Sequence, residues 1–193
     1  MNDNSRSYIA FISYRHTELD KKAAELIQKR IESYHVPKEY RQKAGGSRLG
    51  ICFRDETELP ASASLSENIY EALDHSKYLI VVSTPELPHS RWCEEEIRYF
   101  LKTHDRDHVL AVLVDGEPEE SFSPLLLHEF DEDGNIIADM EPLAANIKGP
   151  NHTIDFKKLP KEMIRIYAAL LGCPFDALWQ RERRARLRRL LGA

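Results

Sequence analysis

Several things are scarce in this 193-residue chain, and each shortage removes a class of protein. Its three cysteines, Cys52, Cys93 and Cys173, are odd in number, form no CxxC and sit among apolar residues, so they read as reduced, buried small hydrophobes in a cytoplasmic protein. No apolar run approaches the length of a membrane-spanning helix, and the polar start MNDNSRS lacks the apolar core of a secretory signal. Eight histidines are scattered without HExxH or any other metal-ligand spacing, so no metal site is expected. The one glycine-rich stretch, AGGSRLG at 44–50, lacks the lysine of a phosphate loop and the GxGxxG spacing, and it precedes a strand instead of following one; a turn is expected there. No internal repeat is visible.

What remains is the composition of a globular domain with a real core, 42% hydrophobic and 31% charged. The net charge of −5 is unevenly spread. Between Trp179 and Arg189 stand six arginines and one glutamate, so the body is acidic and only the tail is basic. That distribution argues against nucleic acid as a partner. The expected division is a domain over residues 1–172 and a basic amphipathic helix over 173–193.

Hydrophobic periodicity places the elements. YIAFIS at 8–13 reads as a buried strand, followed by a helix from Thr17 to about Tyr34 with Asp20 three residues into a capping box and Leu19, Ala23, Ile27, Ile31 and Tyr34 on one face. A second strand is expected at 49–54, a helix with Leu65, Ile69, Ala72 and Leu73 inward, and a third strand at 78–82. A fourth is expected at 109–114 and a fifth within 136–147. The segment 115–133, with eight acids and no lysine or arginine, reads as a long, poorly ordered or excursive connection. Helices are expected at 159–171, ended by Gly172, and from Pro174 to about Leu191, the latter packing Phe175, Leu178 and Leu187. Alternating strands and helices imply an α/β, flavodoxin-like, doubly wound parallel five-stranded sheet with flanking helices and a C-terminal amphipathic basic helix.

The densest information lies in SKYLIVVSTPELPHSRWCEEEIRYFL at 76–101. Ser90 is a helix N-cap, and Cys93, Ile97, Phe100 and Leu101 make the apolar stripe of the helix that follows. Trp92, Glu96 and Tyr99 make the stripe beside it. Glu94 and Glu95 read as a solvated helix start, whereas Glu96 falls one turn from an indole at the edge of the core, where desolvation raises a carboxyl pKa. Topology brings Tyr14-Arg15-His16, the loop 55–64 and the loop 83–90 to one edge of the sheet, where ligands bind in open parallel sheets.

FISYRH after strand one, FRDETELPASASLSENIYEALDHSKYLIVVST and SRWCEEEI, in that order, resemble a TIR (Toll/interleukin-1 receptor) domain of the bacterial NADase type. The resemblance covers roughly residues 8–115. It implies that Glu96, four residues after Trp92, is the catalytic glutamate of an enzyme that cleaves the nicotinamide–ribose bond of NAD+, as substrate and not cofactor, giving nicotinamide with ADP-ribose or a cyclic ADP-ribose. It implies further substrate contacts at Trp92 and Tyr14 (ring stacking), Arg15 (pyrophosphate, or a neighbouring subunit), Leu65 (nicotinamide), and Ser62 and Asp55. Self-association is implied through the loop that Asp55 opens and Ser64 closes, where Ala63 replaces a common glycine. The alternative is a non-catalytic TIR–TIR interaction module. A phosphoacceptor receiver is rejected, because strand three ends in Ser83-Thr84 and not aspartate. By the same resemblance the setting is bacterial anti-phage immunity. The arginine-rich tail itself has three readings: a solvated amphipathic helix, a contact with a membrane surface and, least favoured, a contact with nucleic acid.

Overall fold

The computed structural model of the chain describes residues 7–55 and 67–191. Its strands are β1 (Tyr8–Ser13), β2 (Cys52–Arg54), β3 (Ser76–Ser83), β4 (Val109–Leu113), β5 (His128–Phe130), β6 (Ile136–Asp139) and β7 (Leu143–Asn146). The α-helices are α1 (Glu18–Ser33), α2 (Arg41–Ala44), α3 (Glu67–Asp74), α4 (Arg91–Thr103), α5 (Pro118–Ser121), α6 (Pro124–Leu127), α7 (Leu159–Leu171) and α8 (Phe175–Leu191). Five strands pair in the order β2-β1-β3-β4-β7, every neighbour parallel. This is the flavodoxin-like winding expected from the sequence.

The reason lies in the strands. Side chains alternate between the two faces of a sheet, and in β3 both sets are apolar. Ile80 and Val82 join Ala10, Ile12, Leu110 and Val112 against α1, α7 and the start of α8. Leu79 and Val81 join Phe11, Val109, Ala111 and Leu113 against α3 and α4. A sheet apolar on both faces must be covered on both, and parallel pairing with helical crossovers does so. Each fully buried leucine, isoleucine or phenylalanine contributes about 1.5–3 kcal/mol by leaving water.

The helix starts and stops follow local chemistry. Ser90 caps α4 by accepting from Cys93 N–H at 3.3 Å, and Thr17 caps α1 by accepting from Asp20 N–H at 3.3 Å. Only half of the expected capping box forms at α1, because the Asp20 carboxylate turns away to Thr84. The inward faces are as the periodicity predicts: Ala23, Ile27 and Ile31 in α1, and Cys93, Ile97 and Phe100 in α4, are buried, with Leu101 partly so.

Three expectations need correction. β2 begins at Cys52 instead of 49, because Gly50, at φ 131°, turns the chain where a Cβ would stand 3.1 Å from that of Ile9. The acidic connection is excursive but ordered: it folds into α5, α6 and an antiparallel β5–β6 ribbon, whose turn Asp131 closes by accepting from Asp133 N–H and Asn135 N–H. The window 136–147 therefore holds two strands, β6 in the ribbon and β7 in the main sheet. Finally, Leu187 does not pack; it is 56% exposed, with Leu190 and Leu191. Among the described residues the body holds α8 at its start, through buried Leu178, the Arg181–Glu39 ion pair at 2.8 Å and Tyr34 donating to Glu182 at 3.3 Å. No helix among the described residues is long and apolar enough to cross a membrane.

This asymmetry along α8 is measurable by chemical denaturation. Leu178→Ala should lower stability by about 2–4 kcal/mol through the cavity it leaves. Leu187→Ala should stay within about 0.5 kcal/mol of the parent.

Candidate active site

The carboxyl ends of β1 and β3 meet at the centre of one sheet edge, and four buried polar residues gather there: Ser13, Ser83, Thr84 and Glu96. Strand parity decides where the first points. Ser13 lies two residues after Phe11 and so faces the α4 side of the sheet. Its hydroxyl donates to Glu96 Oε2 at 2.5 Å. The glutamate reaches the same spot from α4, one turn after Trp92 and beside the apolar contacts of Cys93 and Ile97.

Glu96 is 7% exposed, the least exposed glutamate position on the helix, and burial pushes its pKa up to about 8. The Ser13 hydrogen bond pulls in the other direction, while Asp55 and Glu95 add repulsion. The Cys93 thiol beside it is likewise pushed up to about 12 by burial and by Glu96, so it is inert as a nucleophile at neutral pH. Glu94 and Glu95 have other duties. Glu94 pairs with Arg98 one turn on, and Glu95 accepts from the Tyr70 hydroxyl at 2.6 Å, fastening α3 to α4. The solvated reading thus fits Glu94, while Glu95 is part of a helix–helix seam.

The remaining sequence candidates fall in different places. Trp92 is half-buried on α4, packed against the α3–α4 side of the core. Tyr14 is buried, stacked on His16 at 4.8 Å, and its hydroxyl donates to the Asp55 carbonyl at 2.7 Å while accepting from Arg54 at 3.2 Å. Tyr14 therefore fastens the end of β1 to the end of β2. Arg15 is half-exposed and reaches across to the β3–α4 loop, donating to the Glu86 carbonyl at 3.2 Å. Asp55 stands at the mouth of the site, close enough to Glu96 to raise its pKa. Ser62 and Leu65, with all of the loop 55–64 after Asp55, lie outside the described residues.

Ser13, Thr84 and Asp20 were not singled out by the sequence as site residues. The available signal was a small polar residue closing each apolar strand, which is also how an ordinary strand ends.

A sheet wound in this order, with a buried glutamate four residues after a tryptophan at its carboxyl edge, has the architecture that the ordered motifs imply. The family model for the TIR domain matches residues 10–142, and the chain belongs to that family. Over 114 residues it is 33% identical to a protein named NAD(+) hydrolase ApTIR, from Actinoplanes sp. (strain ATCC 31044 / CBS 674.73 / SE50/110). That match takes in 57% of this chain but only 14% of the relative's length. Among solved structures, the TIR domains in a structure of the activated Roq1 resistosome recognising the pathogen effector XopQ align at TM-score 0.42 and 24% identity, covering 58% of this chain and 61% of that one.

The buried carboxyl makes stability depend on pH in a defined direction. The folded pKa of Glu96, about 8, lies above its ordinary 4.5, so the proton is bound more tightly in the folded chain. The stabilisation from that proton is complete below pH 4.5 and is lost as pH rises through about 8. Glu96→Gln removes the ionisation while keeping the acceptor for Ser13. The variant should therefore unfold at higher denaturant than the parent above pH 8, by several kcal/mol and at most about 5. The difference should shrink to near zero below pH 4.5.

Proposed function

We propose that this TIR domain is an NAD+ glycohydrolase, and that Glu96 is its catalytic carboxylate. The observation that carries the proposal is a single buried, proton-retaining glutamate at the carboxyl edge of the sheet, held by Ser13 and placed one turn from Trp92. The 33% identity to an NAD(+) hydrolase over 114 residues supports it.

The chemistry suits one carboxylate. In NAD+ the glycosidic nitrogen is already cationic. When its bond to ribose breaks, the electron pair stays on nicotinamide, which departs neutral and needs no proton from the enzyme. Ordinary glycosides need a second carboxyl as acid. What needs stabilising is the ribosyl cation, and a carboxylate in a water-poor setting does that far better than one in bulk solvent. The same group orients the ribose hydroxyls and takes the proton of an attacking water, giving ADP-ribose. Attack by a nucleophile within the ADP-ribosyl group gives the cyclic product instead. Substrate charge helps prepare the site: a cation docked beside Glu96 favours its ionised form.

Around this centre, Trp92 supplies a flat apolar face for a ring, and Arg15 stands within reach of the pyrophosphate. Tyr14 and Asp55 set the mouth of the site through the end of β2. By the family resemblance Leu65 would contact the nicotinamide, and Ser62 would be a further substrate contact. Assembly through that loop would switch activity on, in a setting of anti-phage defence, with the basic end of α8 resting on an anionic membrane surface.

The test is nicotinamide release from NAD+ by purified protein, free and concentrated on beads. Glu96→Ala should remove at least about 99% of the activity, a loss typical of deleting the group that stabilises developing charge. Equal, slow consumption by parent and variant under both conditions would sink the proposal. The pH profile adds a signature: kcat/KM should climb about tenfold per pH unit on the acid side and level off above about 8. Because the Ser13 hydroxyl holds the Glu96 pKa down, Ser13→Ala should move that limb to higher pH.

A further inference from the structure

We infer that Asp20 is a positioning residue for this site: through Thr84 it sets the β3–α4 loop, and with it the placement of Glu96. The inference rests on the glycohydrolase reading and adds to it a residue on the opposite face of the sheet.

The geometry is a reciprocal exchange between two neighbouring strands. β1 ends in Ser13, which bonds the helix that follows β3; β3 is followed by Thr84, which bonds the helix that follows β1. Ser13 donates to Glu96 on α4 at 2.5 Å, and Thr84 donates to Asp20 Oδ2 on α1 at 3.2 Å. Parity again explains the directions, since Thr84 continues the Ile80–Val82 row that faces α1. A third rung, Arg15 to the Glu86 carbonyl at 3.2 Å, crosses between the same two loops at the surface. Being exposed, it contributes little. The buried rung is the stiff one.

Asp20 is also an anomaly in its own right. It is fully buried, and its Oδ1 has no hydrogen-bond partner among the described residues. A stranded buried carboxyl oxygen is costly, and a fold concerned only with stability has better options at the third position of a helix. The groups facing it are Thr17 and Arg15 on its own side, and Thr84 and Glu86 from the β3–α4 loop; it in turn acts on the Cys93 thiol of α4. Burial pushes its pKa up to about 6. The groups that act on it most strongly thus belong to the segments that follow β1 and β3.

Thr84 is where that contact becomes position. Its carbonyl accepts from Leu87 N–H at 2.9 Å, starting the turn that delivers Ser90, the cap of α4. Pro85 next to it rests on Gly116, where φ is 72° and a Cβ would come within 2.6 Å of the proline ring. The loop is thus held on one side by Asp20 of α1 and on the other by the segment that follows β4.

The experiment is a double-mutant cycle on the full chain, with folding checked by circular dichroism and thermal melting. Thr84→Val keeps the shape and removes the donor; Asp20→Ala removes the acceptor. Each should lower kcat for NAD+ cleavage by at least about tenfold with KM nearly unchanged, the signature of a displaced catalytic group. The double variant should be no worse than the weaker single, and Thr84→Ser, which restores the hydroxyl, should recover most of the rate. Parent-like kcat in folded Thr84→Val, losses that multiply in the double variant, or a change confined to KM would overturn the inference. Should Asp20→Ala fail to fold, the Thr84→Val and Thr84→Ser pair decides by itself. A second readout is independent of turnover: the Glu96 carboxyl titration, followed by 13C NMR, should move by at least about half a pH unit in Thr84→Val. If the parent cleaves no NAD+, the glycohydrolase reading fails, and an unmoved Glu96 titration separately refutes the link to Asp20.

Discussion

The structure depends on burying a carboxyl group at the edge of an otherwise apolar interface. α4 lies on the sheet through Cys93, Ile97 and Phe100, and the residue between the first two on the inner side is a glutamate. It is 7% exposed, and among the described residues the hydroxyl that donates to it is that of Ser13, at the last position of the neighbouring strand. Desolvation then outweighs that one hydrogen bond, and the proton stays on to about pH 8. A site so arranged is costly to stability and useful to chemistry for the same reason: the medium around it screens poorly.

The two ends of the sheet differ accordingly. At the carboxyl edge β1 finishes in Ser13 and β3 in Ser83, followed by Thr84, all buried, and the segments there are cross-tied by the side chains of Ser13, Tyr14, Asp20, Thr84 and Glu96. Tyr14 bonded to Asp55 ties β1 to β2, and Asp20 bonded to Thr84 ties α1 to the exit of β3. The parts added to this frame are attached more loosely. The β5–β6 ribbon turns on its own Asp131 side chain, and α8 leaves the body after Glu182, exposing its last leucines among arginines.

Much of this was legible beforehand. Two-sided apolar strands, the Ser90 cap, the Cys93–Ile97–Phe100 stripe and the placement of Glu96 beside it follow from period and spacing. The ribbon was not, because β5 and β6 are three and four residues long and lack an alternating apolar face, so their pairing depends on a turn closed by one aspartate. Leu187 misled for a related reason: an amphipathic pattern says which face of a helix is apolar, not whether anything stands opposite it. Asp20 looked like half of a capping box, and its backbone N–H behaves so, but the side chain found a better partner 64 residues away.

The sequence by itself determined the alternation of apolar strands and amphipathic helices, the family motifs and the helix face on which Glu96 sits, because each is written in residues close together along the chain. Only the tertiary structure decided that Ser13 holds Glu96, that Asp20 holds Thr84, and that Tyr14 spends its hydroxyl on Asp55. Those partners lie 83, 64 and 41 residues apart. Which strand end faces which helix is settled by strand parity and sheet order together, and sheet order does not exist until the chain has folded.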